Sequence, residues 1–243
     1  MKSFALLSVR NHPLINHLIN QLNQKKSLPK AVIFDKKNLS KDEIDRFCER
    51  TGYKRKEIDF FINEIYEIPI FEVSNHNDPE IFDLIDNLKI DFLVNAGTPR
   101  ILKDKIIHKT QFGILNCHPA LLPEYKGCSC VEWSIFHDQQ VGNTIHWMNS
   151  DIDCGPIIKT RSTKCFRSDR YQDIRKRVYF DGFNLLAELI EEISYCSKEN
   201  FKKLYTGSIK DGGNYYKPID RESLDIVKNK IKEKLYKFQN SVN

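Results

Sequence analysis

No stretch of the 243-residue chain reaches the roughly 18 consecutive apolar residues that a membrane-spanning helix needs. The N-terminal MKSFALLSVRNHPLINHL has a short apolar run broken by Arg10 and His12 and carries no small-residue cleavage site. That pattern reads as a first strand and not as a signal peptide, so the expectation is a cytoplasmic protein with no membrane partner. An even cysteine framework is also missing. Seven cysteines, Cys48, Cys117, Cys128, Cys130, Cys154, Cys165 and Cys196, are scattered along the chain and are expected as reduced thiols. The group Cys117, His118, Cys128 and Cys130 lacks the spacing of zinc loops, so no metal is expected. Charge is modest as well: the net value is +5, concentrated in the last segment at Lys228, Lys230, Lys232, Lys234 and Lys237. Without interleaved aromatic residues that run reads as a solvated face, and nucleic acid is not an expected partner.

What is present is the composition of a soluble globular protein, 40% hydrophobic and 29% charged, and a length that supports one main core with room for a small accessory element. Short apolar runs at Phe4–Val9, Ala31–Phe34, Ile68–Val73, Asp91–Val94 and Phe112–Leu115 read as buried strands. Helical periods separate them. Leu14, Ile15, Leu18, Ile19 and Leu22 form one stripe, and Ser40 with Glu43 forms a capping box ahead of Ile44 and Phe47. Strand and helix in alternation predict an α/β fold, a mostly parallel sheet covered by helices on both faces. From Val141 to Cys165 two strands are broken by a loop at Asp151–Gly155. Tyr171, Ile174, Val178, Leu185, Leu189 and Ile193 then mark a long helix. Phe201–Ile219 reads as a hairpin turning at Gly212 and Gly213, and Leu224, Val227, Ile231, Leu235 and Phe238 as a final helix. The expected division is a catalytic unit over residues 1–197 and a C-terminal hairpin and helix over 198–243, available for pairing two copies.

The chemistry concentrates in FGILNCHPALLPEYKG, Phe112–Gly127. Residues two apart on a strand share a face, so Asn116 and His118 project together from the carboxyl end of a strand, where open α/β sheets bind ligands. Pro119 and Pro123 then stiffen the exit. An amide donor beside an imidazole can support a developing oxyanion. Downstream, SDIDCGPII, Ser150–Ile158, places two carboxylates in a loop, and one of them beside His118 would orient and charge the ring. Asn, His and carboxylate together suit acyl transfer. Cys117 would face the opposite side of the strand.

NCHPALLPEYKG and DIDCGPII resemble the two signatures of the folate-dependent formyltransferases, and NAGTPRIL, Asn95–Leu102, resembles the segment that lines their pteridine pocket. The likeness extends over roughly Ala31–Thr163. It implies a Rossmann-like fold and N10-formyltetrahydrofolate as co-substrate, with no metal. Carried over position by position, it implies Asn116 and His118 at the formyl carbonyl and Asp153 as the partner of His118. Asp153 is favoured over Asp151 because Gly155 stands two residues after it. The pteridine is expected between Arg100, Ile101 and Leu102 on one side and Ser150, Asp151 and Ile152 on the other. Ala120 replaces a serine common in the family.

The acceptor is read from the remainder of the chain. A methionyl-tRNA formyltransferase is expected to carry a further domain of about a hundred residues for the tRNA, whereas about eighty residues follow the Asp153 motif. A phosphoribosylglycinamide formyltransferase is expected to have a glycine-rich phosphate loop after its first strand, where this chain has SVRNHPLIN without glycine. A formyltetrahydrofolate hydrolase is expected to carry a further N-terminal domain. The expected acceptor is therefore the amine of a nucleotide-linked amino sugar, of the dTDP-4-amino-4,6-dideoxyhexose type, in a homodimeric enzyme. Arg10, Asn11, Tyr125, Lys126 and Trp133 are its candidate pocket residues, by position near strand ends and by their capacity to meet phosphate, sugar or base.

Overall fold

The computed structural model describes residues 2–54, 66–197, 199–201 and 212–240. Strands β1 (Phe4–Ser8), β2 (Ala31–Asp35), β3 (Ile70–Val73), β4 (Phe92–Asn95), β5 (Ile114–His118), β7 (Gly142–Trp147) and β8 (Ile157–Ser162) form one sheet in the order β3-β2-β1-β4-β5-β7-β8. The first five are parallel, and β7 and β8 add antiparallel at the far side. Strand order reverses between β1 and β4, which opens a crevice at their carboxyl ends. The central strands are apolar throughout because both faces are covered. Phe4 and Leu6 of β1 pack with α1 (Ile15–Gln24) and with α6 (Tyr171–Tyr195), while Ala5 and Leu7 pack with α3 (Pro79–Asn87) and α4 (Asp104–Ile107). The fold is the Rossmann-like α/β class.

Local signals act as the sequence predicts. The expected stripe Leu14, Ile15, Leu18, Ile19 and Leu22 is buried throughout. In α2 (Lys41–Thr51) the Glu43 N–H donates to Ser40 Oγ while Glu43 Oε2 accepts from Ser40 N, and Gly52 closes the helix at φ 66°.

Three elements differ from expectation. The fifth strand begins at Ile114, not Phe112, because Gly113 turns at φ 82° against the Thr110 hydroxyl, and it runs on to His118 because β7 pairs along its end. Residues 202–211 of the expected hairpin lie outside the described residues. Its second limb, β9 (Asn214–Tyr216), pairs in parallel with β6 (Tyr125–Gly127). The final helix α7 (Arg221–Lys232) stops three residues before Leu235. Lys234 adopts φ 60°, which breaks the helical period, so Leu235 is 69% exposed and Tyr236 is buried in its place. That helix packs on α5 (Cys130–Phe136) and on the first half of α6 through Val227 and Ile231. No described helix is long and apolar enough to cross a membrane.

Candidate active site

Strand β5 carries Asn116 and His118 on one face, and the antiparallel register sets His146 opposite Asn116 and Thr144 opposite His118. The Thr144 hydroxyl donates to Ala120 O at 2.7 Å and accepts from Leu122 N, which pins the exit from the strand. The loop between β7 and β8 supplies Asp153, whose φ of 55° lies in the left-handed region that Asp tolerates better than most residues. Its carboxylate accepts from Gly127 N at 2.8 Å and stands 3.3 Å from His118 Nδ1 and 3.6 Å from His146 Nε2.

Backbone groups at both ends orient the Asn116 amide. The N–H groups of Gly97 and Thr98 donate to Asn95 Oδ1, so the Asn95 amide nitrogen must donate to Asn116 Oδ1, at 2.9 Å. At the other end His146 Nδ1 donates to Trp147 O, which leaves Nε2 to accept from Asn116 Nδ2 at 3.0 Å. One N–H of the Asn116 amide is thereby committed and the other is left for a ligand. A donor held this way needs no reorganisation to meet developing negative charge.

His118 is buried, and its Nε2 donates to Tyr125 O at 2.8 Å. Burial pushes its pKa down, against the upward pull of the facing Asp153 carboxylate. For Asp153, burial alone would raise the pKa, but the facing His118 and the Gly127 N–H hold it below the usual carboxylate range. The His118 Nδ1 and Asp153 pair thus has a place for one additional proton. Among the described residues no group of three or more His, Cys, Asp or Glu is arranged to hold a metal ion.

A cavity of about 720 Å³ opens at Asn116, walled by the start of α1, by α2, by α6 and by the ends of β4 and β5. A family model described as Formyl transferase matches residues 4–190. The chain belongs to the formyl transferase family. Among curated relatives, the methionyl-tRNA formyltransferase of Finegoldia magna is 27% identical over 51% of this chain, and the chain spans 41% of that relative's length. Several solved structures share the fold. A sugar N-formyltransferase from Shewanella sp FDAARGOS_354 has TM-score 0.60 and 21% identity, covering 89% of this chain and 77% of the other. Phosphoribosylglycinamide formyltransferase from Bacillus halodurans has TM-score 0.61 and 19% identity, covering 82% and 99%. A formyltransferase from Anoxybacillus kamchatkensis, in complex with UDP-4,6-dideoxy-4-formamido-L-AltNAc and tetrahydrofolate, has TM-score 0.52 and 18% identity, covering 98% and 94%.

In this chain, the two segments expected to hold a pteridine are tied together by Ser150 Oγ, which donates to Asp104 Oδ1. Ile101 is 78% exposed and Ile152 45% exposed, an unusual outlay of apolar surface, whereas Leu102 is buried in the core. Asp151 is exposed beside Ile152. Arg100 does not reach into open space: its guanidinium holds the buried Asp35 carboxylate through Nε at 2.8 Å and Nη2 at 2.9 Å. Nearby, the buried Asn149 Oδ1 has no hydrogen-bond partner. Exposed isoleucines and an unpartnered acceptor suit a flat heteroaromatic ring bearing N–H donors.

The five candidate acceptor residues lie around the cavity and not on its wall. Arg10 pairs with Glu72. Asn11 holds both backbone groups of Leu39, and Leu39 is a wall residue. Tyr125 is buried with its ring stacked on Tyr216, and Lys126 lies beside it on β6. Trp133 donates from Nε1 to Lys217 O and stacks on Tyr216 and His137. Cys117 points to the opposite face from Asn116, as the strand period requires, against Gly182 O, and burial pushes its thiol up to about 12.

Sequence reasoning missed His146, Asn95 and His12. His146 is visible in sequence only as one of three polar residues in the strand GNTIHW; its meaning comes from the register that faces it to Asn116. His12 sits so close to Gly97 that a Cβ on Gly97 would fall 2.2 Å from its ring, and burial lowers its pKa to about 4.

Proposed function

We propose that this protein transfers a formyl group from N10-formyltetrahydrofolate to the amine of a nucleotide-linked amino sugar. The observation that carries the reading is the place of Asn116, between the cavity on one side and the His146, Asp153 and His118 network on the other. Ile101, Ile152 and the Ser150–Asp153 loop, which are not part of the cavity wall, hold the folate, and the cavity holds the acceptor.

The folate supplies the activated formyl group. The acceptor enters as a neutral amine, and its nitrogen forms a bond to the formyl carbon while an electron pair moves to the formyl oxygen. The free N–H of Asn116 donates to that oxygen, while His118 starts neutral beside Asp153 and gains positive charge only as it takes up the amine proton. The His118 and Asp153 pair accepts the proton that the amine loses and returns it to N10 as the C–N10 bond breaks. The products are a formamide and tetrahydrofolate.

Support for the sugar class comes from the wider likeness. The sugar N-formyltransferase and the complex with a UDP-linked formamido sugar cover 89% and 98% of this chain, against 82% for the ribotide enzyme. The loop after β1 offers His12 and Pro13 at the cavity where a ribotide phosphate would call for glycine. On this reading residues 1–197 are the catalytic unit and residues 198–243 complete the acceptor side and pair two copies.

The test is tetrahydrofolate release from N10-formyltetrahydrofolate with dTDP- and UDP-linked amino sugars, with glycinamide ribonucleotide, or with no acceptor. Turnover with an amino sugar is expected, falling by about 10² to 10³ in Asn116→Ala with the fold retained. Turnover only with the ribotide, or without any acceptor, overturns the assignment.

A further inference from the structure

We propose that Arg175, Arg50 and Arg46 form an anion cradle in the cavity that grips the phosphate-bearing part of the acceptor. The inference rests on the reading that this cavity is the acceptor site. All three arginines are on its wall, together with Asn95 and Asn116 near the reacting centre, so one ligand can meet both groups.

Arg175 carries the argument. It is 8% exposed, with Nη1 paired to the Glu132 carboxylate and Nη2 donating to Tyr179 OH at 2.9 Å, yet its buried Nε has no partner. An orphaned donor on a buried cation is costly, and because Arg175 lines the cavity a small rotation of its guanidinium would bring that N–H to a ligand oxygen there. Arg50 reaches Ser129 Oγ and Glu132 Oε1 only at 3.4 and 3.5 Å, so its donors are under-used. Arg46 stands one turn away on the same face of α2.

Charge points the same way. Glu43 is the acidic residue on the wall, and its Oε2 is occupied by the Ser40 N–H and hydroxyl. Glu132 lies fully buried beneath, fixed by Arg175 and by Tyr171 OH, where it orients the guanidiniums without facing a ligand. The Arg46 and Arg50 guanidiniums, with the one spare N–H of Arg175, match phosphate oxygens, which accept several N–H donors at once. The rings of Phe47, Tyr179 and Phe183 on the same wall offer flat apolar surface to the rest of a nucleotide.

The probes are inorganic pyrophosphate, UDP and dTDP, titrated calorimetrically into wild type, Arg46→Gln/Arg50→Gln and Arg175→Lys. Tetrahydrofolate binding serves as the check that each variant is folded. Wild type is expected to bind all three probes, more weakly as salt rises. The double variant should bind at least about thirtyfold more weakly, and Arg175→Lys about tenfold, because each loses charge-assisted hydrogen bonds. No binding to wild type, or equal binding to the variants, overturns the cradle. Kinetics separate this from the choice of acceptor. Glycinamide ribonucleotide as the working acceptor, with its KM raised in the double variant, would sink the amino-sugar assignment and uphold the cradle. An amino sugar whose KM is unchanged in the variants would do the reverse.

Discussion

Gly155 lies against the Trp147 carbonyl, and a Cβ there would fall 1.7 Å from Trp147 O and 2.9 Å from its carbon. Gly155→Ala must therefore open a gap of about 1.7 Å to reach ordinary contact. The strand side is poorly placed to yield, since Trp147 O already accepts from His146 Nδ1 and Trp147 N donates to Pro156 O. The loop must move, and it carries Asp153 two residues away. Overpacking of this kind costs about 1–3 kcal/mol, and at roughly 2–4 °C per kcal/mol for a chain of this size Tm should fall by about 2–12 °C. The larger effect should be on turnover. Shifting the carboxylate by about 1 Å breaks its contacts with two imidazoles, and misplacement of that size costs on the order of 10² in rate. Tetrahydrofolate release under saturating acceptor, with Tm measured in parallel, reads both quantities. A variant with reduced Tm but wild-type kcat would refute the idea that this glycine seats Asp153.

Three further outcomes follow from other parts of the molecule. Ile101→Ser and Ile152→Ser should each raise the KM for the folate about tenfold with Tm and kcat little changed, since both side chains are exposed in the free protein; an unchanged KM would place the pteridine elsewhere. Glu132→Gln leaves Arg175 buried without its counter-charge and should cost about 3–5 kcal/mol, seen as a lower midpoint in urea; a loss under about 1 kcal/mol would mean water reaches that pair. Because folding favours neutral His12, its stabilising share is present above about pH 6.5 and is lost as pH falls towards its folded pKa of about 4. With one ring edge facing the cavity, that share is on the order of 1–2 kcal/mol between pH 7 and pH 5. His12→Gln should therefore flatten the pH dependence of urea stability by that amount, and parallel curves would refute it. Asp153 acts in the same direction at lower pH: its carboxylate stabilises the fold above the ordinary Asp range, and that contribution disappears on further acidification.

Local chemistry made the elements legible. Alternating apolar strands and amphipathic stripes required a sheet covered on both faces, and the capping box at Ser40 and Glu43 placed the start of α2 to the residue. The spacing of Asn116 and His118 put both on one face, because the strand period is a property of the backbone alone. Leu235 was misread because apolar periodicity is blind to a left-handed residue at Lys234, and Asn214–Tyr216 because a run of strand-forming residues does not name its partner. The meeting of His146 and Asn116, the approach of Asp153 to two imidazoles, and the gathering of Arg46, Arg50 and Arg175 around one cavity join segments up to 129 residues apart, from α2 to α6. Only the register of β5 against β7 and the packing of α6 on α2 decide those contacts, since hydrogen-bond register and helix docking depend on the whole sheet and leave no local periodicity in the chain.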